Sequence, residues 1–348
     1  ETRDILKLCI EARSALSELK QAGKLLPDQS VLINTLPLLE AQASSEIENI
    51  VTTRDELFKE AQSVWNRNHN PQTKEALRYR QALKNGFQKL RETPLATGTA
   101  VTICRTIKNA EIDIRSLPGT ALASDKTGAI IYTPPEGAER IHNMLNDLFQ
   151  FMHGRDDIDP LVRMSIGHYQ FEAIHPFADG NGRTGRVINV LFLIDSGLID
   201  LPTLYLSGYI NTHRDDYYRL LLKTTQTGDW NSWITYMVTA VLESAKRSCE
   251  KIQAITEQIK LTHSFVAERK PRLATKELME LIFHQPYSRI QNLVDAGIAE
   301  RQTASRYLHQ LESLSVLRSE LVGRDKVFVN WAFLKLLLED ENNLTHHA

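Results

Sequence analysis

Cysteine is scarce in this chain. Three residues in 348, Cys9, Cys104 and Cys249, are too few and too widely spaced for a disulfide framework or a zinc site, and they point to a reducing compartment. Charge of one sign is lacking too. A net charge of −2 gives no overall electrostatic pull toward nucleic acid or an anionic membrane. Long apolar runs are absent. The stretch from Val187 to Ile194 is the longest of note, and Asp195 stops it well short of a membrane span. No signal-peptide pattern is visible, and Glu1 stands where a methionine would, so residues before it are expected in the natural protein. A cytoplasmic location with no membrane partner is the expectation. Strand signals are few, and no internal repeat or low-complexity tract is present.

What the chain does have is one dense string, His175-Pro176-Phe177-Ala178-Asp179-Gly180-Asn181-Gly182-Arg183-Thr184-Gly185-Arg186. It sets a base, a carboxylate, a glycine turn and two arginines within twelve residues. Gly180 and Gly182 carry no Cβ, so the backbone can approach an anion closely. Residues 183–193 read as a helix with Val187, Val190 and Leu191 on one face. A glycine turn that opens a helix offers unpaired N–H groups and the positive end of the dipole, which suits phosphate. Arg183 and Arg186, three apart, can reach the same anion. The string is not a Walker A loop, which needs Lys and then Ser or Thr after the last glycine. It is not a dinucleotide fingerprint either, because residues 161–174 before it have helical spacing.

The string resembles the motif of the Fic family, HPFx(D/E)GNGRxxR, at every specified position. The resemblance implies nucleotidyl transfer: AMP moves from ATP to a hydroxyl of a target protein and pyrophosphate leaves. On that likeness His175 is the general base, chemically suited by an imidazole pKa near neutrality. Asp179 would hold Mg²⁺ against the phosphates. Gly180, Asn181 and Gly182 would form the anion hole. Arg183 and Arg186 would bind the outer phosphates, with Thr184 and Gly185 between them in the nucleotide-binding stretch. Phe177 would fix the loop. The resemblance implies a target protein bearing a Ser, Thr or Tyr hydroxyl.

A second string, Ser44-Ser45-Glu46-Ile47-Glu48-Asn49, fits the family's inhibitory pattern (S/T)xxxE(G/N) through Ser44, Glu48 and Asn49. Ala43, Ile47 and Ile50 recur at helical spacing, so the segment reads as an amphipathic helix with Ser44 and Glu48 one turn apart. The resemblance implies that Glu48 pairs with Arg186 and withholds it from the γ-phosphate. Its position before the core marks the subclass inhibited from an N-terminal helix.

Helical periodicity recurs through most of the chain, so the expected fold is mainly α. Residues 1–95 read as a helical N-terminal module, 96–250 as the Fic-like core and 265–340 as a separate unit. Within the core, residues 122–132 carry a hairpin signal. The resemblance makes it a flap that adds a strand to the target. The family also places aromatic groups near adenine, which makes Tyr218 a candidate, alongside simple packing at a helix edge. His142, His153 and His168 show no metal-ligand pattern, and Trp230 and Trp233 read as core.

The last unit reads as three helices (275–283, 287–296 and 300–314) and a two-stranded wing around Gly323-Arg324-Asp325. This resembles a winged helix-turn-helix. From Phe265 onward it holds eleven Lys or Arg and eleven Asp or Glu, without the basic footprint of a DNA-binding domain. A protein contact is favoured over DNA, and a homodimer stays open. Two alternatives to AMP transfer also stay open: AMP removal by the same site, and a DNA-binding regulator whose Fic site senses nucleotide.

Overall fold

Capped amphipathic helices build the chain from its start. The computed structural model describes residues 1–26, 28–61, 70–123, 130–322 and 325–347. The first helices are α1 (Arg3–Leu25), α2 (Ser30–Ile47), α3 (Arg54–Ala61) and α4 (Pro71–Lys89). Thr2 starts α1 by accepting from the Ile5 amide, and Asn70 with Pro71 starts α4. Helix α5 (Thr97–Lys108) begins at the Pro94–Gly98 seam and ends at the left-handed Asn109.

Strands β1 (Leu122–Ala123) and β2 (Ile130–Tyr132) pair antiparallel, as the hairpin signal predicts. The turn residues 124–128 lie outside the described residues. The core follows as α6 (Ala138–Gly154), α7 (Pro160–Ile174), α8 (Asn181–Asp195), α9 (Leu206–Thr212), α10 (Arg214–Thr227) and α11 (Trp230–Arg269). Helix α8 packs against α7, α5 and α4. It buries Ile188, Phe192 and Leu193 as well as the predicted Val187, Val190 and Leu191. A helix buried on nearly every side is the centre of its domain, and the dense string opens this one.

The C-terminal unit comprises α12 (Lys276–His284), β3 (Tyr287–Ser288), α13 (Ile290–Asp295), α14 (Arg301–Ser313), β4 (Arg318–Val322), β5 (Asp325–Val329) and α15 (Trp331–Leu338). Its sheet has the order β3-β5-β4, antiparallel throughout. Residues 323–324, in the expected wing turn, lie outside the described residues. Two expectations need correction here. Residues 287–296 are not one helix: Tyr287 and Ser288 pair with Val329 and Phe328, and the helix starts at Ile290. Trp230 is not core, since it is 37% exposed, edge-on to Tyr169, whereas Trp233 is fully buried. Helix α15 carries no sequence signal of its own. Its near-continuous apolar run lacks a period, and five of its eight residues are buried.

Helix α11 runs unbroken for 40 residues, roughly 60 Å, past both 250 and 265. It ties the last unit to the rest. Lys251 on α11 donates to Leu336 O (2.6 Å) and Glu339 O (2.8 Å) at the end of α15. Arg54 on α3 donates to Leu338 O (2.7 Å) and to Asp340 (2.9 Å). Cations on the last carbonyls of a helix satisfy orphan acceptors and complement the dipole. Burial pushes the Lys251 ammonium down to about 8. Among the described residues no helix is long and apolar enough to cross a membrane.

Candidate active site

The loop between α7 and α8 is held from three sides. Helix α7 ends as His175 turns left-handed (φ 49°), with its amide donating to Phe171 O at 3.0 Å. Phe177 is fully buried against Phe171. Asn181 clasps the loop: its Oδ1 accepts from the Phe177 amide and its Nδ2 donates to Phe177 O, both at 2.8 Å. Arg115 fastens the outside. Its amide donates to Pro176 O (2.9 Å), and its guanidinium donates to the carbonyls of His175 (2.7 Å), Ile174 (3.2 Å) and Pro135 (2.5 Å). A lone arginine between elements carries no pattern, so nothing in the sequence marks it. Asn181→Ala removes two buried bonds, and thermal melting is expected to show a loss of about 1–3 kcal/mol. An unchanged melting temperature would mean that the clasp is idle.

Gly180, left-handed at φ 89°, opens α8. The first helical bond runs from Thr184 N to Gly180 O at 3.0 Å, so the amides of Asn181, Gly182 and Arg183 precede it and remain for a ligand. Three consecutive amides at a helix N-terminus form a nest suited to an anion. Thr184 and Gly185 face inward instead. The Thr184 side chain is fully buried, and a Cβ on Gly185 would press on Glu172, His168 and Phe171.

Both motif arginines are engaged by carboxylates from the N-terminal module. Arg186, 1% exposed, donates through Nη2 to Glu48 Oε1 (2.8 Å) and Ser44 O (2.9 Å), and through Nε to Ser44 Oγ (2.8 Å). A Cβ on Gly182 would collide with Glu48 Oε1, so that carboxylate sits directly over the nest. Arg183 donates to Glu75 Oε1 at 2.5 Å, a partner on α4 that sequence reasoning did not single out. Asp179 is 62% exposed and pairs with Lys108 at 2.6 Å. Burial works to raise the Asp179 pKa, and Lys108 and Arg183 outweigh it, so the group is held below its ordinary range.

The end of α2 differs from the expected helix in one respect. The helix stops at Ile47, and Glu48 is its cap. Asn49 turns left-handed (φ 60°), Asn49 N donates to Glu46 O (2.9 Å) and Ile50 N to Ser45 O (3.0 Å). That is a Schellman ending. Because the helix stops there, Ser44 O has no helical donor and is free for Arg186. The Asn49 side chain accepts from Arg214 at 3.0 Å. One turn earlier, the fully buried Glu40 accepts from Ser207 N (2.8 Å), Ser207 Oγ (2.5 Å) and Tyr79 OH (3.0 Å), which fixes α2 against α9 and α4.

The remaining titratable groups divide by environment. Burial pushes the His175 imidazole below its ordinary value, so it is neutral at pH 7 and able to accept a proton. His168 is driven down to about 3, first by burial and then by the Arg186 charge, and it bonds the Tyr217 hydroxyl at 2.8 Å. Glu172 is raised to about 7 by burial. His153 bonds Leu95 O at 3.0 Å and His142 contacts Asn146 at 3.1 Å. Tyr218, 43% exposed, lies under Arg214, whose guanidinium is 5.8 Å from the ring centroid. The chemistry of the nest, its two arginines and the nearby base suits a polyphosphate.

The chain is similar to known proteins. The Fic/DOC family N-terminal profile matches residues 6–88, the Fic/DOC family profile residues 50–193, and that of the Protein adenylyltransferase SoFic-like C-terminal domain residues 259–333. An Aquifex aeolicus protein named as a probable protein adenylyltransferase is 28% identical over 181 residues, 51% of this chain and 53% of that protein. A Caenorhabditis elegans protein adenylyltransferase is 32% identical over 105 residues, 30% of this chain and 19% of that protein. The chain thus spans about half or less of the curated relatives it matches. The crystal structure of a Fic family protein from Desulfovibrio desulfuricans G20 shares the fold, with a TM-score of 0.59 at 19% identity over 95% of this chain and 96% of that one. With the two Fic/DOC profiles running from residue 6 to residue 193 over the elements that build the nest, the chain belongs to the Fic/DOC family.

Proposed function

We propose that this chain is a protein adenylyltransferase that moves AMP from ATP to a Ser, Thr or Tyr hydroxyl of a target protein and is held in check by Glu48. The observation that carries this reading is the nest of three amides beside His175, with the Glu48 carboxylate lying over Gly182 where an anion would bind. His175 takes the proton as the target oxygen attacks the α-phosphorus. The bond to the β-bridging oxygen breaks and pyrophosphate leaves. The nest amides and the two arginines stabilise the charge that builds on the phosphates. Tyr218 packs toward the adenine, and the exposed edge at Ile130 and Ile131 receives the target strand. The C-terminal unit contacts protein in preference to DNA, given its balanced charge.

Among the described residues no group of three or more His, Cys, Asp and Glu is placed to hold a metal. Asp179 is one exposed carboxylate, and that donor set fits Mg²⁺ arriving with ATP, because Mg²⁺ keeps waters and takes phosphate oxygens. When bound there, the ion neutralises phosphate charge. The test uses ATP labelled on the α- or the γ-phosphate, with the Glu48→Gly enzyme in lysate. Protein should gain label from the α position alone, and should lose it with chelator or in Asp179→Ala. Label from the γ position alone would make the enzyme a kinase and sink the reading.

A further inference from the structure

Lys108 is the last residue of α5, and nothing in the dense string points to it. Its Nζ lies 2.6 Å from Asp179 Oδ2 and 3.0 Å from Glu75 Oε1. Its stem rests on the nest: a Cβ built on Gly180 would lie 3.4 Å from Lys108 Cγ and from Cδ. The side chain is only 22% exposed. It is therefore an ammonium fixed at the mouth of the phosphate loop, unlike a solvated surface lysine. Glu75 in turn holds Arg183, so four alternating charges run Arg183–Glu75–Lys108–Asp179. Their sum is zero.

We propose that Lys108 is a nucleotide-binding residue that neutralises Asp179 while the site is empty and passes to the polyphosphate when a divalent cation takes Asp179. The inference rests on the adenylyltransferase reading. A divalent cation and an ammonium on one carboxylate repel each other, so one must leave. The ammonium can move, since it ends a flexible four-carbon stem, whereas Arg183 is a buried planar fork clamped by Glu75. It need not go far, because the C-terminal end of α5 favours a cation nearby. A metal-bound triphosphate still carries excess negative charge, and Lys108 is the flexible cation beside the nest. Two consequences follow. The nucleotide-free protein resists free metal ions, and metal and nucleotide enter together.

The test uses Mn²⁺ as the probe, with free ion read by electron paramagnetic resonance, and the full chain as wild type, Lys108→Met and Lys108→Arg. Circular dichroism and melting establish that each variant folds, and Lys108→Gln replaces the methionine variant if it does not. Without nucleotide, Lys108→Met should bind Mn²⁺ on the order of tenfold tighter than wild type, because the competing charge is gone. Calorimetry with a non-hydrolysable ATP analogue and Mn²⁺ should show the same variant on the order of tenfold weaker. Lys108→Arg should restore much of that binding. Equal Mn²⁺ affinity without nucleotide overturns the neutralising role, and equal analogue affinity overturns the phosphate role. If neither wild type nor the Glu48→Gly enzyme binds the analogue, the adenylyltransferase reading fails; if either binds and the Lys108 comparison in that background is flat, this inference alone fails.

Discussion

Replacing His175 with alanine is expected to lower AMP transfer by about 10²–10⁴-fold, the range for removing a general base. Nucleotide binding should survive, because the nest amides and both arginines lie outside the deleted ring. Folding should survive too, since the loop is held through the backbone of His175 and Pro176 by Arg115. The pH profile gives an independent check. Burial lowers the His175 pKa from its usual value of about 6.5, so the neutral, proton-accepting form persists to lower pH than in a free imidazole. Transfer by the Glu48→Gly enzyme should stay level through neutrality and fall only as pH drops below about 6.5. An acid limb centred above that value would show that a different group is the base.

Glu48→Gly is expected to raise transfer, self-modification included, on the order of 10–100-fold, a span typical of coupling between two sites. The change frees the nest at Gly182 and releases Nη2 of Arg186. Arg186 would still be held by the two Ser44 oxygens, so the guanidinium stays placed for phosphate. Glu48→Gln, which keeps the shape and loses the charge, should give an intermediate rate. Arg186→Ala should lower activity in either background, and the double-mutant cycle with Glu48→Gly should be non-additive. Rates that multiply simply would place the action of Glu48 elsewhere, and a Glu48→Gly enzyme no faster than wild type on any acceptor would remove the inhibitory role.

Much of this site is legible in one dimension because its parts are consecutive. His175, Asp179, Gly180 and Arg186 lie within twelve residues, and helical period alone brackets them between two helices. The Ser44–Asn49 string is legible only as a pattern, and its pairing with Arg186 is a contact across 142 positions. What the sequence hides are single residues on distant elements. Glu75, Lys108 and Arg115 each belong to a stretch whose composition says amphipathic helix or loop, and only packing brings the first two to the nest and Arg115 to the back of the loop. The division of the motif into outward and inward faces is hidden as well. Thr184 and Gly185 share the string with Gly182, yet a helix turns about 100° per residue and carries them to the interior. The β3 strand is hidden for a related reason: two buried residues beside a helix have too short a run to show a period of two.

The left-handed turn at Asn49 makes the hold on Arg186 adjustable without altering any charged atom. Glu48 and the Ser44 carbonyl are presented by a helix end, and the next residue's backbone decides where that end falls. Asparagine tolerates this conformation at modest strain, and glycine enters it freely but has more freedom to lose. A β-branched residue there would resist the turn and tend to carry the helix onward, closing Ser44 O to Arg186. Under the restraint proposed for Glu48, its strength can therefore be set through one uncharged position, with both charged partners unchanged.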